Sequence, residues 1–379
     1  MRILVINGPN LNLLGTREPD IYGTATLSDL EAQWQLKADA IEATIETFQS
    51  NHEGSIVDAI GEGVARYDGL VINAGALTHY SYAIGDAIAA VGLPTVEVHI
   101  SNIHERESWR HLSVLTDVCD LTIVGRGTDG YLHAIDHLVA ITSHPPITAR
   151  YGSGSDTVLD LRTPSGDGPH RVALLIHGGF WREIWKRDLM DPIAVALTNL
   201  GWATVNVEYH RGDGSYATAP RDIESAIQWI SHNAVEHNLD PGRLVAIGHS
   251  AGGYLALSVA HDDGGVSGAV ALCAVSNLLA TAESHPDDDP VALFLGASRE
   301  DAPRLWDQAE LRGRPAAPVR LVHGIEDDVV HPSQTEAYVA LGGGTAPMTM
   351  IADCGHMELI DPSSRAWAEV VGALEAFSF

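Results

Sequence analysis

The chain has 379 residues, more than one hydrophobic core usually spans, so two domains are expected. Hydrophobic residues make up 45% and charged residues 19% of the chain, which is typical of folded soluble proteins and excludes a disordered or membrane-embedded chain. The net charge of −28 disfavours nucleic acid and anionic membranes as partners and leaves small-molecule substrates.

The first residues and the cysteines limit the expected location and chemistry. No apolar run approaches the ~20 residues of a membrane span, and the chain starts on a strand-like segment, RILVING, instead of a signal peptide. The three cysteines, Cys119, Cys273 and Cys354, lack the paired spacing of a disulfide framework or a zinc site. We therefore expect a cytoplasmic protein with neither a metal nor another cofactor.

The first 144 residues alternate strands with helices. Apolar runs of strand length lie at residues 2–8, 69–75, 95–101 and 121–127, with helical stretches between them. Continuous apolar strands that alternate with helices predict a doubly wound parallel sheet covered on both faces. Such sheets bind ligands at the carboxyl ends of their strands. Polar residues stand at or just after the ends of three runs: Asn7, Asn10, Asn73, His99 and Ser101.

A domain boundary is predicted at Pro145-Pro146. Residues 129–143, DGYLHAIDHLVAITS, have the pattern of a closing helix, and the two prolines cannot continue it. We expect a first domain at residues 1–144, a linker at 145–150 and a second α/β domain at 151–379. Strands and helices alternate again in that second domain, from TVLDLRTP at 157–164 to MTMIADCGH at 348–356.

The loop after the first strand, NGPNLNLLGTREPDIYG at residues 7–23, contains the first candidate chemistry. Arg17 stands five residues before Tyr22, and a nearby guanidinium favours a tyrosinate, which can act as a general base. A turn with a solvent-exposed tyrosine and arginine is the alternative interpretation. Glu97 and His99 are two residues apart on a strand and can share one face, so that Glu97 orients His99 as a general acid.

Other polar residues have the chemistry to hold a hydroxylated carboxylic acid. We expect Asn73, His79 and Ser101 to donate hydrogen bonds to hydroxyl groups, and Arg106 and Arg110 to bind a carboxylate. The first domain therefore contains a candidate base, a candidate acid and residues that can hold hydroxyl and carboxylate groups.

Four segments together, NGPNLNLLGTREPDIYG, NAGALTHYS, EVHISN and ERESWR, resemble type II 3-dehydroquinate dehydratase over residues 1 to about 144. The resemblance implies a flavodoxin-like fold, a homo-oligomer that is often a dodecamer, and conversion of 3-dehydroquinate to 3-dehydroshikimate through an enolate without a metal. It also implies that Tyr22 is the base, that Arg17 keeps it ionised, and that Asn10 stabilises the enolate through a bound water. His99 then protonates the departing hydroxyl, with Glu97 behind it.

The same resemblance assigns the residues that hold the substrate. Asn73, His79, Ser101 and Arg110 are expected to bind the ring and its carboxylate, and Arg106 to lie in a closing segment.

The second domain contains a G-x-S-x-G pentapeptide at residues 248–252, between a strand-like run and a helical one. That context predicts a nucleophile elbow, which lifts the Ser250 hydroxyl clear of the sheet; a turn with a buried serine is the alternative. Upstream, LLIHGGFW at residues 174–181 is typical of an oxyanion loop. Downstream lie Asp327 and His356, in the Ser–Asp–His order of an α/β-hydrolase.

Residues from about 148 to 379 resemble α/β-hydrolases of the esterase and kynurenine-formamidase-like group, whose H-G-G-x-W pattern HGGFW matches. The resemblance implies that His356 takes the Ser250 proton and that Asp327 orients the imidazole. It further implies that an oxyanion is bound by backbone N–H groups of Gly179, Phe180 and Ala251.

Some residue choices in the second domain stay open. Asp327 is preferred to Asp328 because the matching pattern is H-G-x-x-D, although a shift of one residue would reverse that choice. His331 and His249 are interpreted as a loop histidine and an elbow neighbour. Four aromatic residues either line a substrate pocket or pack in the core, with core packing favoured for at least half of them: Trp181, Trp185, Trp202 and Tyr254.

The sequence therefore predicts a bifunctional enzyme that carries a dehydratase and a serine esterase or amidase on one chain. An ester of quinate, shikimate or a related hydroxy acid is a hypothetical substrate that would place the hydrolase in the same pathway. The alternative is a hydrolase whose dehydroquinase-like domain serves mainly as an oligomerisation scaffold. The presence of Arg17, Tyr22 and His99 together favours the bifunctional enzyme.

Overall fold

The structure, a computed structural model, describes residues 1–262, 265–342 and 346–378. The chain divides into two units, Met1–Pro145 and Pro146–Phe379. Among the described residues, no helix is long and apolar enough to cross a membrane. The three cysteines, Cys119, Cys273 and Cys354, are free thiols.

The first unit is built on a parallel sheet of five strands. They are β1 (Arg2–Asn7), β2 (Thr44–Gln49), β3 (Gly69–Asn73), β4 (Thr95–His99) and β5 (Leu121–Val124). Their order across the sheet is β2-β1-β3-β4-β5, the flavodoxin-like order. The predicted fold of this unit is confirmed, with β2 as a strand that the apolar runs did not indicate.

Five helices accompany this sheet. They are α1 (Pro19–Tyr22), α2 (Leu27–Ala40), α3 (Glu53–Glu62), α4 (Tyr82–Val91) and α5 (Gly130–Ser143). Helices α2 and α5 pack on one face of the sheet, where the Trp34 and Tyr131 ring centroids are 4.6 Å apart, and α3 and α4 supply a second apolar cluster. A capping box between Thr26 and Asp29 starts α2 and so ends the long loop after β1 at a defined point.

The second unit contains a mixed sheet of eight strands. They are β6 (Ile147–Arg150), β7 (Val158–Arg162), β8 (His170–Ile176), β9 (Ala203–Val207), β10 (Leu239–His249), β11 (Gly268–Leu272), β12 (Val319–Gly324) and β13 (Met348–Ile351). Their order is β13-β12-β11-β10-β8-β9-β7-β6. Strand β7 pairs antiparallel with both of its neighbours, and all other pairs are parallel.

The described residues of this unit form eight α-helices. They are α6 (Asp191–Asn199), α7 (Ala219–His232), α8 (Ala251–His261), α9 (Leu278–Ser284), α10 (Pro290–Leu295), α11 (Pro303–Ala309), α12 (Ser333–Leu341) and α13 (Trp367–Glu375). Two buried apolar clusters hold helices against the sheet. Helices α9 to α11 lie in the long connection between β11 and β12. The predicted α/β-hydrolase architecture is confirmed.

The expected linker at 145–150 is shorter in the structure. Residues 147–150 form β6, which pairs antiparallel with β7 from Ile147 opposite Leu161 to Arg150 opposite Val158. The β-branched pair Ile147 and Thr148 suits an edge strand, and the pairing satisfies backbone groups that β7 would otherwise leave free. The helix α5 ends at Ser143, so residues 144–146 connect the last helix of one unit to the first strand of the next.

Two candidate active sites

A cavity of about 230 Å³ lies at the carboxyl ends of β1, β3 and β4 in the first unit. Parallel strands end at the same edge of a sheet, so the loops that follow them meet there. Eight of the residues predicted for the first site line this cavity: Asn10, Arg17, Tyr22, Asn73, His79, His99, Ser101 and Arg110.

Glu97 is a fully buried carboxylate directly behind His99 on β4. The Nε2 atom of His99 lies 2.9 Å from Glu97 Oε1. Four hydroxyl groups also donate to this carboxylate, those of Thr78, Ser113, Thr116 and Thr122. Burial alone would raise the pKa of Glu97, but the hydrogen bond and charge of His99 and the hydroxyl donors lower it to about 2. The ionised carboxylate therefore orients the His99 ring.

Two arginines lie beside the Tyr22 ring: Arg17, which precedes it in the sequence, and Arg106, which follows it. The Cζ atom of Arg17 is 5.3 Å from the ring centroid and that of Arg106 is 5.8 Å from it. Only Arg106 is hydrogen-bonded to the hydroxyl, with Nη1 donating at 3.3 Å, whereas Arg17 forms an ion pair with Glu18 at 3.0 Å. The hydrogen bond to Tyr22 raises the pKa of Arg106, which keeps its guanidinium charged.

The Arg106 guanidinium also contacts Ser101, which lines the cavity. Its Nη1 atom donates to Ser101 Oγ at 3.4 Å, so one cation contacts both the candidate base and a predicted substrate-binding hydroxyl. Arg110 is oriented by its neighbours, since Nε donates to Glu107 at 2.9 Å and Cζ stacks 4.1 Å from the Trp109 ring centroid. Both arginines lie in the ERESWR segment at residues 105–110, where Arg106 was predicted to belong to a closing segment and Arg110 to bind the substrate.

Asn73 is held by a buried hydrogen-bond chain. Its Nδ2 donates to the Tyr131 hydroxyl at 2.9 Å, and that hydroxyl donates to Asn7 Oδ1 at 2.7 Å. Its Oδ1 accepts from the Gly75 backbone at 3.2 Å. Burial raises the pKa of Tyr131, so this phenol is a neutral structural donor. The chain fixes the Asn73 amide at the cavity wall.

His79 has a defined orientation in the cavity. Its Nδ1 lies 2.7 Å from the carbonyl oxygen of Leu112, an acceptor, so Nδ1 carries the proton. Burial lowers the pKa of His79 and favours the neutral ring, whose Nε2 is then an acceptor. His79 is therefore suited to accept a hydrogen bond from a hydroxyl group, whereas the sequence predicted a donor.

Ser250 occupies the sharp turn between β10 and α8. Its backbone has φ 56° and ψ −120°, a strained conformation for a residue with a Cβ atom and the conformation that a nucleophile elbow requires. The elbow is crowded, because a Cβ atom on Gly178 would come within 2.8 Å of the Ser250 Cβ. The oxyanion loop therefore runs directly past the candidate nucleophile.

Asp327 and His356 form a buried pair in the loops after β12 and β13. The Nδ1 atom of His356 lies 2.7 Å from Asp327 Oδ2, while Asp327 Oδ1 accepts from the backbones of Val329 and Val330 at 2.9 and 2.8 Å. Burial would raise the pKa of Asp327, but hydrogen bonds from His323 and His356 hold it well below its usual range. Asp327 is thus a permanent carboxylate that orients His356.

His249 connects this pair to the elbow. Its Nε2 lies 3.0 Å from the backbone carbonyl oxygen of His356, and the two rings are 4.6 Å apart. Complete burial and the nearby His356 lower the pKa of His249 to about 3, so the ring stays neutral. The residue next to Ser250 therefore anchors the loop that carries the candidate general base.

The backbone N–H groups predicted for the oxyanion site are available. Those of Gly179, Phe180 and Ala251 donate to no protein acceptor within the described part of the chain. Gly179, Phe180 and Trp181 have φ of 104°, 49° and 56°, three left-handed residues in succession. Ala251 is the first residue of α8, where N–H groups have no partner inside the helix.

Comparisons with known proteins divide along the same boundary. Residues 1–139 match the family model described as Dehydroquinase class II. Catabolic 3-dehydroquinase 1 of Aspergillus terreus is 57% identical over 136 residues, which cover 36% of this chain and 90% of that protein. The 3-dehydroquinate dehydratase of Bacillus pumilus is 56% identical over 137 residues, or 36% of this chain and 93% of that protein.

The chain belongs to the class II dehydroquinase family. This membership comes from its first unit, hereafter the dehydroquinase unit. Residues 159–340 match the BD-FAE family model. A truncated carbohydrate esterase from gut microbiota has a similar structure, with a TM-score of 0.53 and 17% identity over 60% of this chain and 95% of that chain. That likeness supports the α/β-hydrolase fold of the second unit, hereafter the hydrolase unit.

Several residues of both sites had no signal in the sequence. In the dehydroquinase unit, Tyr131 and Ser113 support Asn73 and Glu97 from distant segments that carry no motif.

In the hydrolase unit, His323 lies 3.3 Å from Asp327 Oδ2. The Cys273 thiol donates to the same carboxylate, and burial followed by the charge of Asp327 raises its pKa well above the usual range. Of these supporting residues, His323 could have been found from the sequence, because it is the histidine of the H-G-x-x-D pattern.

The four aromatic residues of the hydrolase unit are mainly core residues. Trp181, Trp202 and Tyr254 are at most 1% exposed, and Trp185 packs against a core cluster. Trp202 belongs to a different apolar cluster from Trp181 and Tyr254. These four residues therefore do not form one pocket wall.

Proposed function

We propose that the chain is a bifunctional enzyme. The dehydroquinase unit dehydrates 3-dehydroquinate to 3-dehydroshikimate, and the hydrolase unit cleaves a carboxylic ester or amide through Ser250. One observation carries the first activity: Tyr22 and His99 line the same cavity, Tyr22 in contact with Arg106 and His99 in contact with Glu97. The buried Asp327–His356 pair beside the elbow carries the second. The catabolic 3-dehydroquinase and 3-dehydroquinate dehydratase names of the relatives support the first reaction.

In the dehydration, Tyr22 as a phenolate removes the proton next to the ketone. Arg106, which donates to the Tyr22 hydroxyl, and Arg17 beside the ring stabilise that phenolate. The electron pair moves into an enolate, which Asn10 stabilises through a water molecule. Collapse of the enolate forms the carbon–carbon double bond and expels the hydroxyl group, which His99 protonates to water. A proton then passes from Tyr22 back to His99 through solvent.

The remaining cavity residues hold the substrate. His79 accepts a hydrogen bond from a ring hydroxyl, Ser101 and Asn73 contact the ring, and Arg110 binds the carboxylate. Glu97 acts through His99 by keeping its ring oriented. The acidity of the chain makes these few arginines the local sites for an anionic substrate.

In the hydrolysis, His356 takes the Ser250 proton as the hydroxyl attacks the acyl carbon. Asp327 stabilises the imidazolium that forms, and the N–H groups of Gly179, Phe180 and Ala251 bind the oxyanion. His356 then protonates the leaving alcohol or amine, and water releases the acid from the acyl-enzyme.

Single substitutions in each site can test the two activities independently. Addition of 3-dehydroquinate to the full chain should raise the ultraviolet absorbance as the conjugated enone forms, and p-nitrophenyl acetate should release p-nitrophenol. Tyr22→Phe should abolish the first signal alone and Ser250→Ala the second alone. A wild-type chain that hydrolyses the ester but gives no enone would favour the scaffold alternative for the dehydroquinase unit.

Three finer proposals accompany this function. We place the enzyme in the cytoplasm and assign the dehydroquinase unit the role of assembling a homo-oligomer, with a dodecamer as the expected form; light scattering of the purified chain tests the latter. An ester of quinate, shikimate or a similar hydroxy acid is the proposed substrate that would connect the two reactions. Turnover of aryl esters without turnover of any such hydroxy-acid ester would contradict that connection.

A further inference from the structure

The oxyanion loop of the hydrolase unit contains a turn that its own sequence disfavours. The Arg182 N–H donates to the Gly179 carbonyl at 3.0 Å, so residues 179–182 form a four-residue turn. Both central residues, Phe180 and Trp181, have positive φ, as in type I′ turns, which are dominated by glycine, asparagine and aspartate. Left-handed backbone is unfavourable for residues with a Cβ atom, so contacts outside the turn must hold it.

The peptide groups of the turn are the ones that carry the oxyanion donors. The carbonyl of Gly179 and the N–H of Phe180 belong to one planar peptide group, so the Arg182 hydrogen bond fixes the direction of that N–H. The carbonyl of Gly178 and the N–H of Gly179 share the preceding peptide group, and His177 Nδ1 lies 2.8 Å from that carbonyl oxygen. Relaxation of the turn would therefore redirect the N–H groups.

The Trp181 side chain is held by packing against two other aromatic rings. Its indole is fully buried and stacks on Phe294 of α10, with centroids 4.0 Å apart and ring planes at 7°. Tyr254 of α8 meets the indole edge-on at 5.8 Å and meets Phe294 in the same way at 5.7 Å. The Trp181 carbonyl accepts from the Gly212 backbone at 2.7 Å. We call Trp181, Phe294 and Tyr254 the aromatic clamp.

The aromatic clamp connects the turn to the nucleophile. Tyr254 lies four residues after Ser250 on α8, about one turn along that helix, and its hydroxyl donates to the Ala309 carbonyl at 2.7 Å. The indole Nε1 has no hydrogen-bond partner in the described residues, so the contribution of Trp181 comes from its rings. Burial of an unpaired donor is unfavourable, which argues that ring packing is the reason for a tryptophan here.

We propose that Trp181 is a positioning residue for ester hydrolysis: through the aromatic clamp it holds the 179–182 turn left-handed and so aims the Gly179 and Phe180 N–H groups at the oxyanion. This inference rests on the proposed hydrolase function. It assigns the tryptophan of H-G-G-x-W a conformational role in transition-state binding, distinct from lining a substrate pocket.

The test compares Trp181→Leu with Trp181→Phe in the full chain, with p-nitrophenyl acetate as substrate. Leucine removes the stacking, so kcat should fall 10- to 100-fold while KM changes less than threefold, because the oxyanion forms only in the transition state. Phenylalanine keeps a stacked ring and removes the unpaired N–H, so kcat should stay within threefold of wild type. The affinity for a phenyl trifluoromethyl ketone, whose adduct with Ser250 carries an oxyanion, should fall with kcat across the variants.

Phe294→Leu provides a second route to the same result if Trp181→Leu does not fold, since it removes the stacking partner and leaves the loop sequence intact. Unchanged kcat in a folded Trp181→Leu or Phe294→Leu chain would overturn the role of the clamp while ester hydrolysis itself stood. A loss in Trp181→Phe equal to that in Trp181→Leu would also overturn it. A wild-type chain that neither hydrolyses the ester nor binds the ketone would overturn the proposed hydrolase function together with this inference.

Discussion

Arg106 donates a hydrogen bond to the hydroxyl of Tyr22 at 3.3 Å, although Arg17 is much nearer to that tyrosine in the sequence. Arg17 lies beside the ring and is partly neutralised by Glu18 at 3.0 Å. The cation in direct contact with the candidate base thus comes from the segment predicted to close over the substrate. Closure and activation of the base would therefore depend on the same side chain.

We expect Arg106→Gln to reduce kcat for dehydration by at least tenfold, because the guanidinium that contacts the Tyr22 hydroxyl is lost. Arg17→Gln should cause a smaller loss, since Arg17 lies beside the ring and is paired with Glu18. Steady-state kinetics by enone absorbance measures both variants. A kcat unchanged in Arg106→Gln would contradict the assignment.

Glu97 should stabilise the dehydroquinase unit only above acidic pH. Its pKa is lowered from the usual 4.5 to about 2, so the stabilisation is fully present above pH 4.5 and is lost as the pH falls toward 2. A shift of this size corresponds to on the order of 3 kcal/mol. The difference in urea unfolding free energy between the wild-type chain and Glu97→Gln, followed by circular dichroism, should shrink across that window. A difference that stays constant with pH would show that the carboxylate charge is unimportant.

His249 should make the hydrolase unit sensitive to milder acid. Its pKa is lowered from 6.5 to about 3, so the folded state is stabilised above pH 6.5 and loses this stabilisation as the pH falls below that value. We expect the urea midpoint of the wild-type chain to fall between pH 7 and pH 5 more than that of His249→Gln. The exposed His331 supplies a matched control, and His331→Gln should follow the wild type.

The choice between two adjacent aspartates is testable in ester hydrolysis. Asp327 is 4% exposed and bonded to His356, whereas Asp328 is exposed. Asp327→Asn should lower kcat on the order of 10³- to 10⁴-fold, because the imidazole loses the partner that fixes its tautomer and stabilises its charge. Asp328→Asn should remain within threefold of wild type. If Asp328→Asn lowered kcat more than Asp327→Asn, the carboxylate that orients His356 would have to be Asp328.

The two folds and their motif residues could be predicted because each signal was local in the sequence. Continuous apolar strands, the elbow pentapeptide and the paired Glu97 and His99 depend on residues within a few positions of one another. Strand β2 was missed because it is an edge strand in which only Ile45 is buried, so it shows no apolar run. The start of β6 at Ile147 was missed because the preceding prolines indicated a linker and a short edge strand has little pattern of its own.

The supporting residues could not be predicted because they meet only after folding. Glu97 collects hydroxyl donors from Thr78, Ser113 and Thr122, up to 25 positions away. Tyr131 reaches Asn7 across 124 positions. A threonine or serine in a loop has many uses, and no spacing rule connects it to a buried carboxylate on another strand. The same holds for the stacking of Phe294 on Trp181.

The positive φ at Ser250 places the hydroxyl for catalysis but lowers the thermal stability of the hydrolase unit. A glycine at this position would adopt φ 56° without a steric penalty and should raise the melting temperature while it abolishes ester turnover. Alanine keeps the penalty and removes only the hydroxyl, so it is the isosteric comparison for kinetics. If ester hydrolysis were no longer selected for, the one substitution Ser250→Gly would give a hydrolase unit that is inactive and more heat-resistant.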